Sequence, residues 1–298
     1  MPATVSWSGT LTALSSIAHG GETRGTITLL RREIVIQPDG RPVHVPIISG
    51  NSFRGRLRRI GEELLRDTLR YEGKLSLAAA HALRGGGALA KTSTAPLSGR
   101  RLADLRALIP HVGVFGCAGG GRIVDGCLQT GKVVPHLAET AHILPGDHQR
   151  LPAFDATQVE TYVRADDTSA HSFTDTLTHR VDVDPTGQPH LEQLPDLPEA
   201  SDTAMLMLYR VETFPAGTRF GTWLRLDRAT DLEIAFFTDV LAAFTSNGRL
   251  GGRAAIGHGQ VRTTLTRTQL TGDVVDVDWR AHLHHNHTAA LTALEALS

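Results

Sequence analysis

The chain has 298 residues, 41% of them apolar, with 30 Lys+Arg against 31 Asp+Glu. That composition belongs to a folded protein of one elaborated domain or two small ones and excludes a disordered chain. No run of about 18 apolar residues is present and no basic-then-apolar leader opens the sequence, while Cys117 and Cys127 fit structural thiols in a reducing compartment, so a cytoplasmic protein without a membrane partner is expected.

The small net charge hides a division. Residues 1–134 carry 18 basic and 9 acidic side chains, whereas residues 135–298 carry 12 and 22. A basic half suits a polyanion, and an acidic half suits the basic face of a neighbouring copy. Only three of the basic residues are lysines, and arginine forks match phosphate geometry.

Taken in chain order, Val5, Trp7, Leu11 and Ala13 alternate with Ser6, Ser8, Thr10 and Thr12, which predicts a half-buried strand over 4–14. Ser15 to Glu22 is a turn-forming loop that carries His19. Ile27 to Ile36 reads as a second extended segment, ending at the turn Pro38-Asp39-Gly40. Next comes Pro46 to Arg59. Asn51 or Ser52 is the expected N-cap of a helix reaching about Tyr71, with Phe53, Leu57, Ile60 and Leu64 facing inward. Arg54, Arg56, Arg58 and Arg59 then project from the other sides, and no acid follows until Glu62. With Ser49, Gly50, Asn51 and Ser52 around the free N–H groups of the helix start, they make a candidate polyanion site. The alternative is a solvated helix start whose long side chains cover apolar neighbours.

Gly73 to Asp125 has the look of an insertion, with short helices near 75–83 and 102–108. Its Gly85 to Thr92 departs from a phosphate loop, because Ala90 stands where the second glycine is needed and a helix precedes it. Cys127 to Val134 is a candidate strand. Pro135 to Asp202 shows no sustained periodicity. Its acids, including those of Arg164 to Asp167 and Asp182 to Gly187, fit solvated hairpins better than a metal site, and His136, His142, His148, His171 and His179 lack a ligand spacing. Ala204 to Thr213 and Thr218 to Leu226 read as two strands of a hairpin turning at Pro215-Ala216-Gly217. Leu232, Phe236, Phe237, Val240, Leu241 and Phe244 form the stripe of a second helix that stops at Asn247-Gly248. Arg249 to Gly259 follows, rich in glycine and basic, with Arg249, Gly251, Gly252 and Arg253 at its head. A last strand over 260–267 and a helical tail over 278–298, with His284, His285 and His287 facing solvent, complete the chain.

Strand, helix, strand, strand, helix, strand with large insertions is the order of an α+β, ferredoxin-like split βαβ core. A glycine turn leading into a basic helix after the first strand, combined with a glycine-rich basic loop after the second helix, resembles the RAMP superfamily of CRISPR systems. Ile47 to Arg59, Phe214 to Phe220 and Arg249 to Gly259 carry the resemblance, which is to the backbone subunit of effector complexes and most to its type IV version. It implies an RRM-like palm (1–72, 126–149 and 204–268), fingers (73–125), a thumb (150–203) and a helical tail (269–298) outside the match. It implies a non-catalytic RNA-binding subunit, without metal or cofactor, that forms a helical filament of its own copies along a guide RNA. Other CRISPR effector subunits and a target DNA or RNA are the further partners. The residues expected on RNA are His19, Ser49, Gly50, Asn51, Ser52, Arg54, Arg56, Arg58, Arg59, Arg164, Arg249, Gly251, Gly252 and Arg253.

The sequence lacks the paired aromatic strand motifs of ordinary RNA-recognition domains, so recognition is expected through phosphates and shape. The alternative within the superfamily is an RNA endonuclease. Against it, 15–45 holds one aspartate, Asp39, in a turn that explains it. Glu22 and Glu33 have no second acid nearby, and His19 has no acid partner in its loop. From another class, a small-molecule enzyme would use the glycine loops for a phosphorylated ligand.

Overall fold

The computed structural model describes residues 2–87, 99–119, 122–146, 152–164, 207–295 and 297. Strand β1 (Ala3–Ala13) leads into two small hairpins, β2 (Gly20–Arg24) with β3 (Ile27–Leu30) and β4 (Arg32–Ile36) with β5 (Pro42–Pro46). Helix α1 (Gly50–Leu69) follows, then α2 (Leu77–Gly85), α3 (Gly99–Leu108), α4 (Pro110–Phe115), the hairpin β6 (Cys117–Gly119) and β7 (Arg122–Val124), and the short strands β8 (Leu128–Thr130) and β9 (Val134–Pro135). The remainder is β10 (Gln158–Arg164), β11 (Met207–Thr213), β12 (Arg219–Ala229), α5 (Asp231–Ser246), β13 (Val261–Thr271), α6 (Trp279–His285) and α7 (His287–Glu295). No described helix is long and apolar enough to cross a membrane.

The central sheet runs β13-β1-β12-β8, every pair antiparallel, with β9 prolonging the β8 edge. Taken in sequence, β1, α1, β8, β12, α5 and β13 are the two halves of a split βαβ unit with the first and third strands central, the ferredoxin-like palm. Alternation in β1 makes this possible. Val5, Trp7 and Leu11 are buried on the helix side while Ser8 is exposed on the other. Trp7 meets Phe237 of α5 edge-on at 5.2 Å between ring centroids, and Phe53 of α1 meets Phe244 at 5.3 Å. Such ring pairs add about 0.5–1.5 kcal/mol each beyond their area. Cys117 and Cys127 are buried free thiols, and burial pushes both up, to about 11 and about 12.

Four expectations need correction. The N-cap of α1 is Ser49, whose Oγ accepts from the Ser52 N–H. The helix can start that early because residue 50 is glycine: a Cβ there would stand 2.9 Å from the Thr130 carbonyl oxygen. Ile27 to Ile36 is broken at Arg31 into two strands of different sheets. The tail is two short helices, and His287 Nε2 lies 2.9 Å from the Leu69 carbonyl oxygen instead of facing solvent.

Finally, β11 does not pair with β12. It lies between β10 and β3 in a second, four-stranded sheet. Glu212 explains the departure. Its buried carboxylate accepts from the Leu30 N–H at 2.8 Å and from Arg32 and Thr157, none of which a hairpin with β12 would supply. Phe214 then exchanges backbone hydrogen bonds with Ile17 (2.9 and 3.0 Å), and Pro215 to Gly217 crosses from one sheet to the other. Of the expected thumb, 152–164 is described; His148, His171, His179 and the acids of 166–202 lie outside the described residues, as does most of Gly85 to Thr92.

Candidate nucleic-acid interface

The residues after β1 are a junction. The Ser49 N–H at the start of α1 donates to His19 Nε2 at 3.2 Å, and the Arg31 N–H donates to the His19 carbonyl at 2.9 Å. Burial, then the Arg31 charge, lowers the His19 pKa, which keeps its ring neutral and able to accept. On the other side, the Gly252 N–H donates to Ala18 O and the Gly259 N–H to Ser16 O, each at 2.8 Å. Gly251 has φ +79°, and a Cβ there would overlap the Ala18 carbonyl oxygen, so the glycine-rich loop closes on this junction only without a side chain. His19, Ser49, Gly50, Gly251 and Gly252 are thereby brought together from segments some 200 residues apart in sequence.

The expected arginines divide. Arg58 is 8% exposed, and its Nη1 and Nη2 donate to Gly116 O (2.7 Å) and Phe115 O (2.6 Å) while its guanidinium lies 5.5 Å from the Phe115 ring centroid. Arg54 reaches the Leu128 carbonyl with Nη1 and Phe115 O with Nη2 at 3.0 Å. These two do not project toward a ligand; they bind the carbonyl groups at the C-terminal end of α4 and in β8. Burial lowers both pKa values, that of Arg58 to about 10, with Arg54 the next cause there. Arg59 is exposed and Arg56 half-buried, and burial followed by the charges of Arg56 and Arg84 lowers the Arg59 pKa. Asn51 is exposed and Ser52 half-buried beside them at the helix start.

Arg249 donates from Nη1 to Ala254 O at 2.9 Å across the glycine-rich loop. Arg253 takes a left-handed backbone (φ 60°) and lays its guanidinium over Tyr209 at 4.9 Å and Tyr162 at 5.7 Å. Those rings stack on each other, 5.3 Å apart with 16° between planes. Arg164 closes β10, paired in register with Met207.

Glu160, Tyr162, Tyr209, His258 and Arg31 are site residues that sequence reasoning missed. Tyr162 Oη donates to Glu160 Oε2 at 2.7 Å, and its oxygen also meets His258 Nε2, which therefore carries the donating proton. His258 Nδ1 lies 3.0 Å from Ser16 Oγ. The period-two run of Gln158 to Arg164 held the signal, but it is seven residues inside a stretch without other regularity.

For Glu160, burial by itself raises the pKa, yet hydrogen bonds from Tyr162, Ser16, Thr213 and Gln158 outweigh it and hold the carboxyl down at about 2. A depressed folded-state pKa contributes stability that is complete above the unfolded value of 4.5 and lost as pH falls toward about 2. Glu160→Gln should therefore show a smaller drop in melting temperature than the wild type between pH 5 and pH 2; parallel curves would mean that this carboxylate is not held in its charged form.

The acids of the β1-to-α1 connection are engaged elsewhere. Asp39 pairs with Arg41 (2.6 Å) in the β4–β5 turn, Glu22 with Arg24 (2.6 Å), and Glu33 with Lys132. Among the described residues no group of three or more His, Cys, Asp or Glu side chains could hold a metal ion.

No family model matches the chain, and no curated protein does. Among solved structures it is similar to a chain of a type IV-B CRISPR complex, at 33% identity and a TM-score of 0.61, over 93% of this chain and 96% of that one.

Proposed function

Since the chain belongs to the subunits of type IV CRISPR complexes, we propose that it is their non-catalytic backbone subunit, which binds guide RNA through phosphates and polymerises head-to-tail along it. The observation that carries this is the single junction of Ser16 to His19, to which both the start of α1 and the glycine-rich loop are hydrogen-bonded. It brings the first turn of α1 to the same junction as Arg31, Arg249 and Arg253, none of which has a carboxylate partner among the described residues, and a polyanion is the ligand such a surface suits. The pairing of Asp39, Glu22 and Glu33 with basic neighbours supports the absence of cleavage.

The test uses nuclease-treated full-length protein titrated with unrelated single-stranded RNAs across a salt series. The double variant Arg249→Ala, Arg253→Ala should flatten the log–log salt slope by about 1.4, near 0.7 for each phosphate no longer neutralised, equally for every sequence. An unchanged slope would remove both from the interface. Guide-dependent products from a matching RNA incubated with magnesium or manganese would favour the endonuclease instead.

A further inference from the structure

Among the described residues the α-helices packed on the palm sheet lie on one face, and the other face carries a tryptophan. Trp223 of β12 is 47% exposed, whereas Trp7 and Trp279 are 5% and 2% exposed. Its neighbours across the sheet are small: Ser8 lies opposite on β1 and Thr266 beyond it on β13, while Thr10 and Gly221 form the next rung. No side chain of these positions rises far above the indole. Two segments wall the surface into a slot of about 770 Å³, Thr130 to Lys132 on one side and Ile143 to Gly146 on the other.

We propose that this slot receives an unpaired nucleobase of the bound RNA, stacked on Trp223. The inference rests on the RNA-binding reading above and adds to it a contact with a base. The slot's aromatic floor suits a flat heteroaromatic ring. Ser8 and Thr10, hydroxyl side chains on the same face as Trp223, line it. Among the described residues that line it there is no carboxylate, and Lys132 there is paired with Glu33. The position is continuous with the proposed backbone site. Gly50, the first residue of α1, packs on the Thr130 and Gly131 carbonyls, and Gly131 packs on the Trp223 ring, where a Cβ would come within 2.7 Å of the indole.

Nuclease-treated full-length protein is titrated with a single-stranded RNA and with an abasic ribose–phosphate strand of equal length, and tryptophan emission is followed. RNA is expected to quench the exposed tryptophan, and the abasic strand to bind without quenching. Trp223→Ala should weaken RNA binding about tenfold at an unchanged salt slope, and Trp223→Phe, which keeps a stacking face, should recover most of it. If the abasic strand binds as tightly as RNA and Trp223→Ala changes nothing, no base enters the slot although phosphate binding stands. If neither strand binds, the RNA-binding reading falls and this inference with it. A change in the size of the RNA-free protein on Trp223→Ala, without loss of RNA affinity, would make the slot a protein contact and overturn the proposal.

Discussion

Arg58→Ala is expected to lower the unfolding free energy by about 3 kcal/mol, a fall of roughly 5 °C in melting temperature, and to leave the salt dependence of RNA binding unchanged. Two effects oppose each other. Among the described residues the buried guanidinium has no carboxylate beside it, and the resulting cost shows in its pKa, lowered to about 10 by burial and then by Arg54. Alanine relieves that cost. It also removes two charge-assisted hydrogen bonds, worth about 1.5–3 kcal/mol each, and leaves Gly116 O without its buried donor. Phe115 O keeps Arg54 Nη2 at 3.0 Å, which limits the loss. Lysine should fall between the two, since one ammonium does not span both carbonyls as the fork does. Should Arg58→Ala instead melt like the wild type and flatten the salt slope, Arg58 would be a phosphate contact and its internal bonds incidental.

That prediction reverses what the sequence suggested, and the reason is physical. Four arginines without a nearby acid invite a polyanion, but a guanidinium is satisfied equally by carbonyl groups, and carbonyls leave no mark in a sequence. Those used here lie far along the chain, Phe115 and Gly116 where α4 ends, a place where cations are favoured, and Leu128 in β8. The palm was legible for the opposite reason. The alternation of β1, the stripes of α1 and α5 and the turn glycines are local patterns, and burial follows them. The partner of β11 was not legible, because Met207 to Thr213 reads as a hairpin strand until Glu212 is seen to need Leu30 and Arg32. His258 lies in a stretch that the sequence marks only as glycine-rich and basic. Its role depends on Tyr162, 96 positions earlier in the chain.

Replacing residues 165–206 by an asparagine–glycine turn should leave a folded protein that no longer forms long assemblies on RNA. Folding is expected to survive because β10 and β11 are antiparallel and in register to their ends, with Arg164 opposite Met207. A two-residue turn of that type closes such a pair. Glu160, Tyr162 and Tyr209, which hold the glycine-rich loop, stay in place. What goes is charge. The removed residues carry nine acidic side chains and one arginine, nearly all of the acidic excess of 135–298. In a head-to-tail array the acidic segment of one copy would meet the basic first half of the next, an interface between unlike faces that does not close on itself. Without it, each copy binds RNA alone. Affinity for an RNA long enough for several copies should fall about a hundredfold once neighbouring copies no longer hold one another, while affinity for an RNA that holds one copy should change little. Sedimentation or electron microscopy of the shortened protein on long RNA gives the answer: filaments as long as those of the full chain would assign the interface between copies to another surface.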